Sequence, residues 1–305
     1  MTAVDSRAGL AKKAVRPAMP ARLMLSAPAG AGKTWSALTI ARELVGPDGE
    51  IVVIDTEEES ALTYADEHDF LHIAWAPPYD PRQLAATITD LSTDRSRCII
   101  VDSESHFWMG EGGTLEIANG KFTGWKEATP AQDEMVLAML RSKSHIIACV
   151  REKQAYAVSE NSNGKQIVEK LGLQPVQREG LDYEFNVAAS IDMGHNIVIH
   201  KTRCRRLADR TYRPNHAEEL AQQYKEWLDG GHPVIDPDVA KDVVKRVLAL
   251  PDDPGDPAGT SLRKQCISEI RDRFGKTEHT LEEDVPELLE LVALYEAKVP
   301  EPEED

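Results

Sequence analysis

Residues 23–38 read LMLSAPAGAGKTWSAL: an apolar run, a glycine-bearing turn, then a helical pattern. A short buried-type strand that runs through a tight turn into a helix is one limb of a βαβ unit. It commits the chain to a parallel sheet covered by helices. Residues 27–34, APAGAGKT, match the phosphate-loop pattern G-x-x-x-x-G-K-[ST] at every fixed position except the first, where Ala27 stands. Gly30 and Gly32 allow the loop to turn its backbone N–H groups toward an anion. The helix starting near Lys33 adds its positive end. Lys33 is then placed for the β- and γ-phosphates of ATP and Thr34 for Mg²⁺, with Ala29, Ala31 and Trp35 completing the nucleotide-binding stretch. Alanine at the first position costs little if that residue is extended at the strand's end.

The same alternation continues. RLMLSA (22–27), IVVID (51–55), LHIAWA (71–76), CIIVD (98–102) and HIIACV (145–150) are runs of the buried-strand kind. Helical patterns over 33–45, 81–92 and 131–142 lie between them. EFNVAASI and NIVIHKT, joined by DMGH, predict an antiparallel hairpin that extends the sheet. Two segments, 106–130 and 151–180, read as long loops, the first rich in glycine and aromatics, the second polar with a turn at 161–164. The expected organisation is a basic arm (1–21), an α/β nucleotide-binding core (22–230) with a mostly parallel sheet, a small helical region (231–299) with a linker at 251–260, and an acidic tail (300–305).

Two strand ends carry carboxylates suited to nucleotide chemistry. Asp102 closes an apolar strand and can hold the Mg²⁺ shell beside a phosphate loop. Glu57, just past the second strand, is the candidate to orient or deprotonate a water; with Glu58 and Glu59 it also reads as a solvated acid run capping a helix. The four cysteines, Cys98, Cys149, Cys204 and Cys266, form no CxxC pair; Cys98 and Cys149 lie in apolar runs and read as small core residues in a reducing cytosol. His106, His145, His195 and His200 show no ligand spacing and read as structural. No apolar run is long enough to span a bilayer, and the N-terminal residues do not form a signal peptide. The net charge of −17 argues against nucleic acid at first sight, but residues 278–305 hold 11 acidic residues against Lys298 alone. Basic residues gather instead in KTRCRRLADRTYR, 201–213.

In their order, the phosphate loop, VIDTEEESALTYAD, IIVDS, IIACVREK and a hairpin ending in HKTR resemble the RecA family over roughly residues 22–205. The resemblance implies a RecA-like core with Glu57 activating water. It also implies that Lys201 and Arg203 act on a neighbouring subunit's nucleotide within a homo-oligomer, ring or filament. The segments 106–130 and 151–180 fall where RecA-like proteins carry two DNA-binding loops. REK, PVQREGLDYEF and IHKTRC are similar to a narrower group, the phage RecA-like single-strand annealing proteins of the fourth Sak group. That likeness implies single-stranded DNA as partner, a single-strand-binding protein as a second, and the cytoplasm of a bacterial host. Arg151 stands where RecA has a γ-phosphate-sensing glutamine, the N-terminal arm is short, and about 70 residues of helices replace the large C-terminal domain. Annealing is therefore a closer expectation than strand exchange.

Within this frame Phe107, Trp108, Phe122 and Trp125 are candidates to stack on bases, or to pack the segment against the core. Lys121, Lys126, Arg151, Lys153, Lys165 and Lys170 give the two segments positive charge suited to phosphates. Arg178 is either a trans-acting cation or part of a turn. Three other readings stay open: a protein-remodelling or helicase-loading ATPase, a small-molecule kinase, and an annealing protein that holds ATP only as a structural ligand.

Overall fold

The apolar run before the glycine-bearing loop forms β1, Arg22–Ala27, inside a nine-stranded sheet. With β2 (Glu50–Asp55), β3 (Leu71–Ala74), β4 (Arg97–Asp102), β5 (His145–Glu160), β7 (Val187–Ile191), β8 (Ile197–Thr202) and β9 (Thr211–Tyr212) the order is β3-β2-β4-β5-β1-β7-β8-β9, and β6 (Gln166–Pro175) pairs with β5. All pairings from β3 across to β7 are parallel; β6, β8 and β9 pair antiparallel. The computed structural model describes residues 14–160, 166–231, 245–251, 261–274, 285–297 and 299.

Helices cover both faces, which is why the strands read as continuous apolar runs. Along β4, Ile99 and Val101 join one core with Leu84 and Ile88 of α2 (Pro81–Leu91) and Met135 and Met139 of α5 (Trp125–Arg141). Cys98 and Ile100, also fully buried, alternate to the other face, where α1 (Lys33–Val45) packs against the sheet. α7 (Ala217–Asp229) closes that side. Its Tyr224 hydroxyl accepts from the Arg22 N–H at 3.0 Å, and Lys225 donates to the Leu44 carbonyl at 3.0 Å. The hairpin β7–β8 forms where EFNVAASI and NIVIHKT predict it.

The two segments expected as loops are regular structure. Residues 106–130 hold α3 (Ser105–Met109), α4 (Thr114–Ala118) and the first turns of α5. Their glycines end and pack short helices. Gly112 and Gly120 have φ of 75° and 60°, and a Cβ on Gly124 would lie 2.0 Å from the Ala118 carbonyl oxygen. α5 starts at Trp125, so Pro130 sits inside it; the carbonyl it leaves unpaired belongs to Lys126, an exposed residue that water can serve. Residues 151–160 and 166–175 pair as antiparallel strands: β5 runs ten residues beyond Val150 and β6 returns along it, with an irregularity at Ala155/Tyr156. The turn expected at 161–164 and Lys165 lie outside the described residues, as do the arm up to residue 13, most of the 251–260 linker and the acidic tail 300–305.

The chain divides into two units, Pro20–Leu228 and a second formed by residues up to Met19 and from Asp229 onward. After α6 (Leu181–Glu184) and α7 in the first unit, α8 (Leu262–Phe274) and α9 (Val285–Glu296) belong to the second. Val247, Leu250, Cys266, Leu291, Val292 and Tyr295 form its small core, and Arg246 pairs with Glu296 at 2.6 Å.

Candidate functional site

Parallel pairing brings the C-terminal ends of β1, β2, β4 and β5 to one edge of the sheet, the usual ligand edge of such folds. Their register sets the site: Asp55 and Asp102 are partners on β2 and β4, and Ala27 and Arg151 on β1 and β5. Ala27 is strand backbone, so the absent first glycine is not required. Gly30 (φ 81°) and Gly32 (φ 88°) are in the left-handed region, where other residues are strained, and Gly32 caps α1.

Lys33 Nζ lies 3.5 Å from Asp102 Oδ1, and the Thr34 hydroxyl donates to Asp102 Oδ2 at 2.5 Å. Burial works against the Lys33 ammonium, yet Asp102 and Glu57 outweigh it and hold the group above the ordinary lysine range. Burial pushes the Asp102 carboxyl up against the pull of Lys33 and Thr34. Asp102 Oδ1 is buried and accepts no hydrogen bond from the described residues. A hydroxyl beside a carboxylate with a spare oxygen fits Mg²⁺, which takes few protein ligands and keeps waters and phosphate oxygens. No cluster of three His, Cys, Asp or Glu that could hold a metal occurs among the described residues.

Glu57 faces this group across a cleft of about 490 Å³, lined also by the phosphate loop, Trp35, Tyr64 and His195. Its position is built by Asp55, which is buried and accepts from the N–H groups of Glu57 (2.7 Å) and Ala61 (2.9 Å) and pairs with His72 at 3.2 Å. Glu58 and Glu59 then turn through φ of 54° and 63° into a 3₁₀ turn, Ser60–Tyr64. Of the three acids only Glu57 lines the cleft. Arg151 Nε donates to Glu57 Oε1 at 2.8 Å, and the Arg151 N–H donates to Ser105 Oγ at 2.9 Å. Burial raises a carboxyl, but the Arg151 bond and the Lys33 charge outweigh it and keep Glu57 below the usual range, hence ionised.

Three residues were not singled out by the sequence, or were read differently. Tyr64 lines the cleft seven positions past Glu57. His195, read as structural, reaches the phosphate loop from the β7–β8 turn. Glu104 is wholly buried two residues past Asp102; burial lifts its carboxyl to about 7, with Gln132 opposing. It ends a buried chain in which Thr114 donates to Gln132 Oε1 (2.6 Å) and Gln132 donates to Glu104 (3.4 Å).

Lys201 and Arg203 do not join the cleft. Lys201 pairs in register with Ala188, which pairs with Met24, and the Arg203 N–H donates to Asn186, whose own N–H donates to Arg22. Lys201 is thus level with Met24, about 10 Å of strand from Ala27, and Arg203 with Arg22, about 17 Å from it. Lys201 Nζ donates to the Tyr183 and Phe185 carbonyls. Of the aromatic candidates, Phe107 is core, packed edge-on against Trp75 and Tyr79. Trp108 and Trp125 form a tilted pair 6.1 Å apart, and Phe122 is 95% exposed. Lys121, Lys126 and Lys153 are exposed, and Arg178 pairs with Asp133.

No family model and no curated protein matches the chain. Among solved structures, a prototypical ATPase from the type III secretion system of pathogenic bacteria matches at 10% identity and a TM-score of 0.35, covering 94% of this chain and 88% of that one. The architecture is a mostly parallel α/β sheet with the glycine-bearing loop at its strand ends, followed by helices. No helix among the described residues is long and apolar enough to cross a membrane.

Proposed function

We propose that the protein is a Mg²⁺-dependent ATPase of RecA type that assembles as a homo-oligomer on single-stranded DNA and supports annealing or recombination. The observation that carries the ATPase reading is the convergence of Lys33, Thr34 and Asp102 with an ionised Glu57 held across the cleft by Arg151. Lys33 neutralises β- and γ-phosphate charge, and the phosphate-loop N–H groups, Ala29 to Thr34, cradle the phosphates. Thr34 and Asp102 would hold the Mg²⁺, which would supply Lewis-acid neutralisation of phosphate charge. Glu57 orients the attacking water and takes its proton. A γ-phosphate offers Arg151 a second anion; as the guanidinium turns to it, Glu57 loses a stabilising partner and becomes a stronger base.

The DNA reading is supported by position and chemistry. The α3–α5 segment and the β5–β6 hairpin leave the sheet on the same edge as the phosphate loop. They carry the Trp108–Trp125 pair with Lys121, Lys126 and Lys153. Stacking on tryptophan and cation contacts to the backbone are how single strands are held without sequence preference. Lys201 and Arg203, remote from their own phosphate loop, serve a neighbour's nucleotide. The likeness of REK, PVQREGLDYEF and IHKTRC to the phage annealing group favours a bacterial host's cytoplasm and a single-strand-binding protein as a further partner. ATP hydrolysis measured across protein concentration, with and without single-stranded DNA, tests the proposal. The expected result is a specific activity that rises with concentration and is stimulated by DNA. A concentration-independent rate that ignores DNA would count against it and favour a protein-remodelling role.

A further inference from the structure

The β7–β8 turn carries a histidine onto the phosphate loop. His195 Nδ1 lies 2.9 Å from the Ala31 carbonyl oxygen. A carbonyl only accepts, so the proton of this bond sits on Nδ1. The same nitrogen stands 3.4 Å from where a Cβ on Gly32 would be, so the ring packs directly on the loop. In a planar trans peptide the C=O and the following N–H point in opposite directions. Fixing the Ala31 carbonyl toward His195 therefore turns the Gly32 N–H away from it, and that N–H has no acceptor among the described residues. Gly32 is left-handed, as is Gly30 two residues before it, so the loop backbone here can take more than one orientation unless it is held.

The turn that delivers His195 is over-determined. His195 has φ of 62°, a conformation unfavourable for residues with a side chain. The Asp192 carboxylate holds it there, accepting from the N–H groups of Gly194 (2.8 Å) and Asn196 (2.9 Å) and from Asn196 Nδ2 (2.9 Å). The His195 N–H donates to the Asp192 carbonyl at 2.9 Å. Such strain marks a place where position matters more than local comfort.

We propose that His195 is a positioning residue for nucleotide binding: its Nδ1–H clamps the Ala31–Gly32 peptide so that the Gly32 N–H is presented to a nucleotide phosphate before the nucleotide arrives. This rests on the phosphate-loop reading and not on the DNA reading. The test compares His195→Gly, which accepts the left-handed backbone and lacks the donor, with His195→Asn, which also tolerates that backbone and offers an amide N–H near the place of Nδ1. Calorimetric titration with ADP and with ATP in Mg²⁺ is the readout, with the melting temperature of each free protein recorded. Loss of one such bond weakens affinity about five- to tenfold. The expected result is that weakening in His195→Gly, near-wild-type affinity in His195→Asn, and the effect appearing in KM with kcat at saturating ATP little changed. Wild-type affinity in His195→Gly overturns the inference. So does an Asn variant that melts like the wild type and binds as poorly as the Gly variant. Failure of the wild type itself to bind nucleotide would instead overturn the phosphate-loop reading beneath it.

Discussion

Glu57 and Glu104 each stand two residues past an aspartate that ends a parallel strand, in IDTE and VDSE, and the fold treats them oppositely. Glu57 meets Arg151 and Lys33 and stays ionised; Glu104 meets only Gln132 in a closed interior and is lifted to about 7. The native state therefore binds an extra proton at Glu104 between the ordinary glutamate value and about pH 7. Its favourable contribution is whole below that window and is lost as pH rises through it, by on the order of 3 kcal/mol at most. Glu104→Gln, which keeps the shape without the charge, should gain stability relative to the wild type as pH goes from 4.5 to 7.5. Melting curves of both proteins at the two pH values check this; a difference independent of pH would mean that Glu104 is not held neutral. The same comparison shows what could be read from the sequence. Lys33 and Thr34 were legible because a phosphate loop prescribes spacing, and Asp102 because it closes an apolar strand. The two D-x-E stretches look alike until burial and the distant Arg151 separate them. His195 was invisible because its partner, Ala31, is 164 positions away.

At the scale of elements, strands and long helices were legible from apolar periodicity, and α1 has the bounds its pattern predicts. The α3–α5 segment and the β5–β6 hairpin were not. Five-residue helices such as α3 and α4 are too short to show a period, and their glycines read as loop although they end helices and admit close backbone approach. The hairpin's polar strands lack clean alternation, so nothing marks them without their pairing. On the proposed reading both elements meet single-stranded DNA. Trp125→Ala should weaken single-stranded DNA binding roughly tenfold or more, in line with the stacking energy of one base. Lys153→Ala should weaken it modestly for every sequence and lower the salt dependence by somewhat less than one unit of slope. Fluorescence anisotropy over a salt series measures both. Unchanged binding in Trp125→Ala would remove the α3–α5 face from the DNA path.

Across the whole molecule the charges are segregated. Most of the excess acid lies in residues 278–305, while Lys201, Arg203, Arg205, Arg206, Arg210 and Arg213 follow one another around β8 and β9. That basic stretch begins level with the first half of β1, away from the phosphate loop. On the proposed reading a single chain supplies its nucleotide with Lys33, Thr34, Asp102 and Glu57, and in an oligomer lends Lys201 and Arg203 to the next. On that reading turnover runs through one base, Glu57, whatever the assembly. The most direct measurement is ATP hydrolysis by Glu57→Gln beside the wild type at saturating ATP, with nucleotide affinity determined separately and Lys33→Ala as the non-binding control. The account predicts near-normal affinity and a rate lower by about 10²- to 10⁴-fold in Glu57→Gln. Hydrolysis at the wild-type rate by that variant would contradict it.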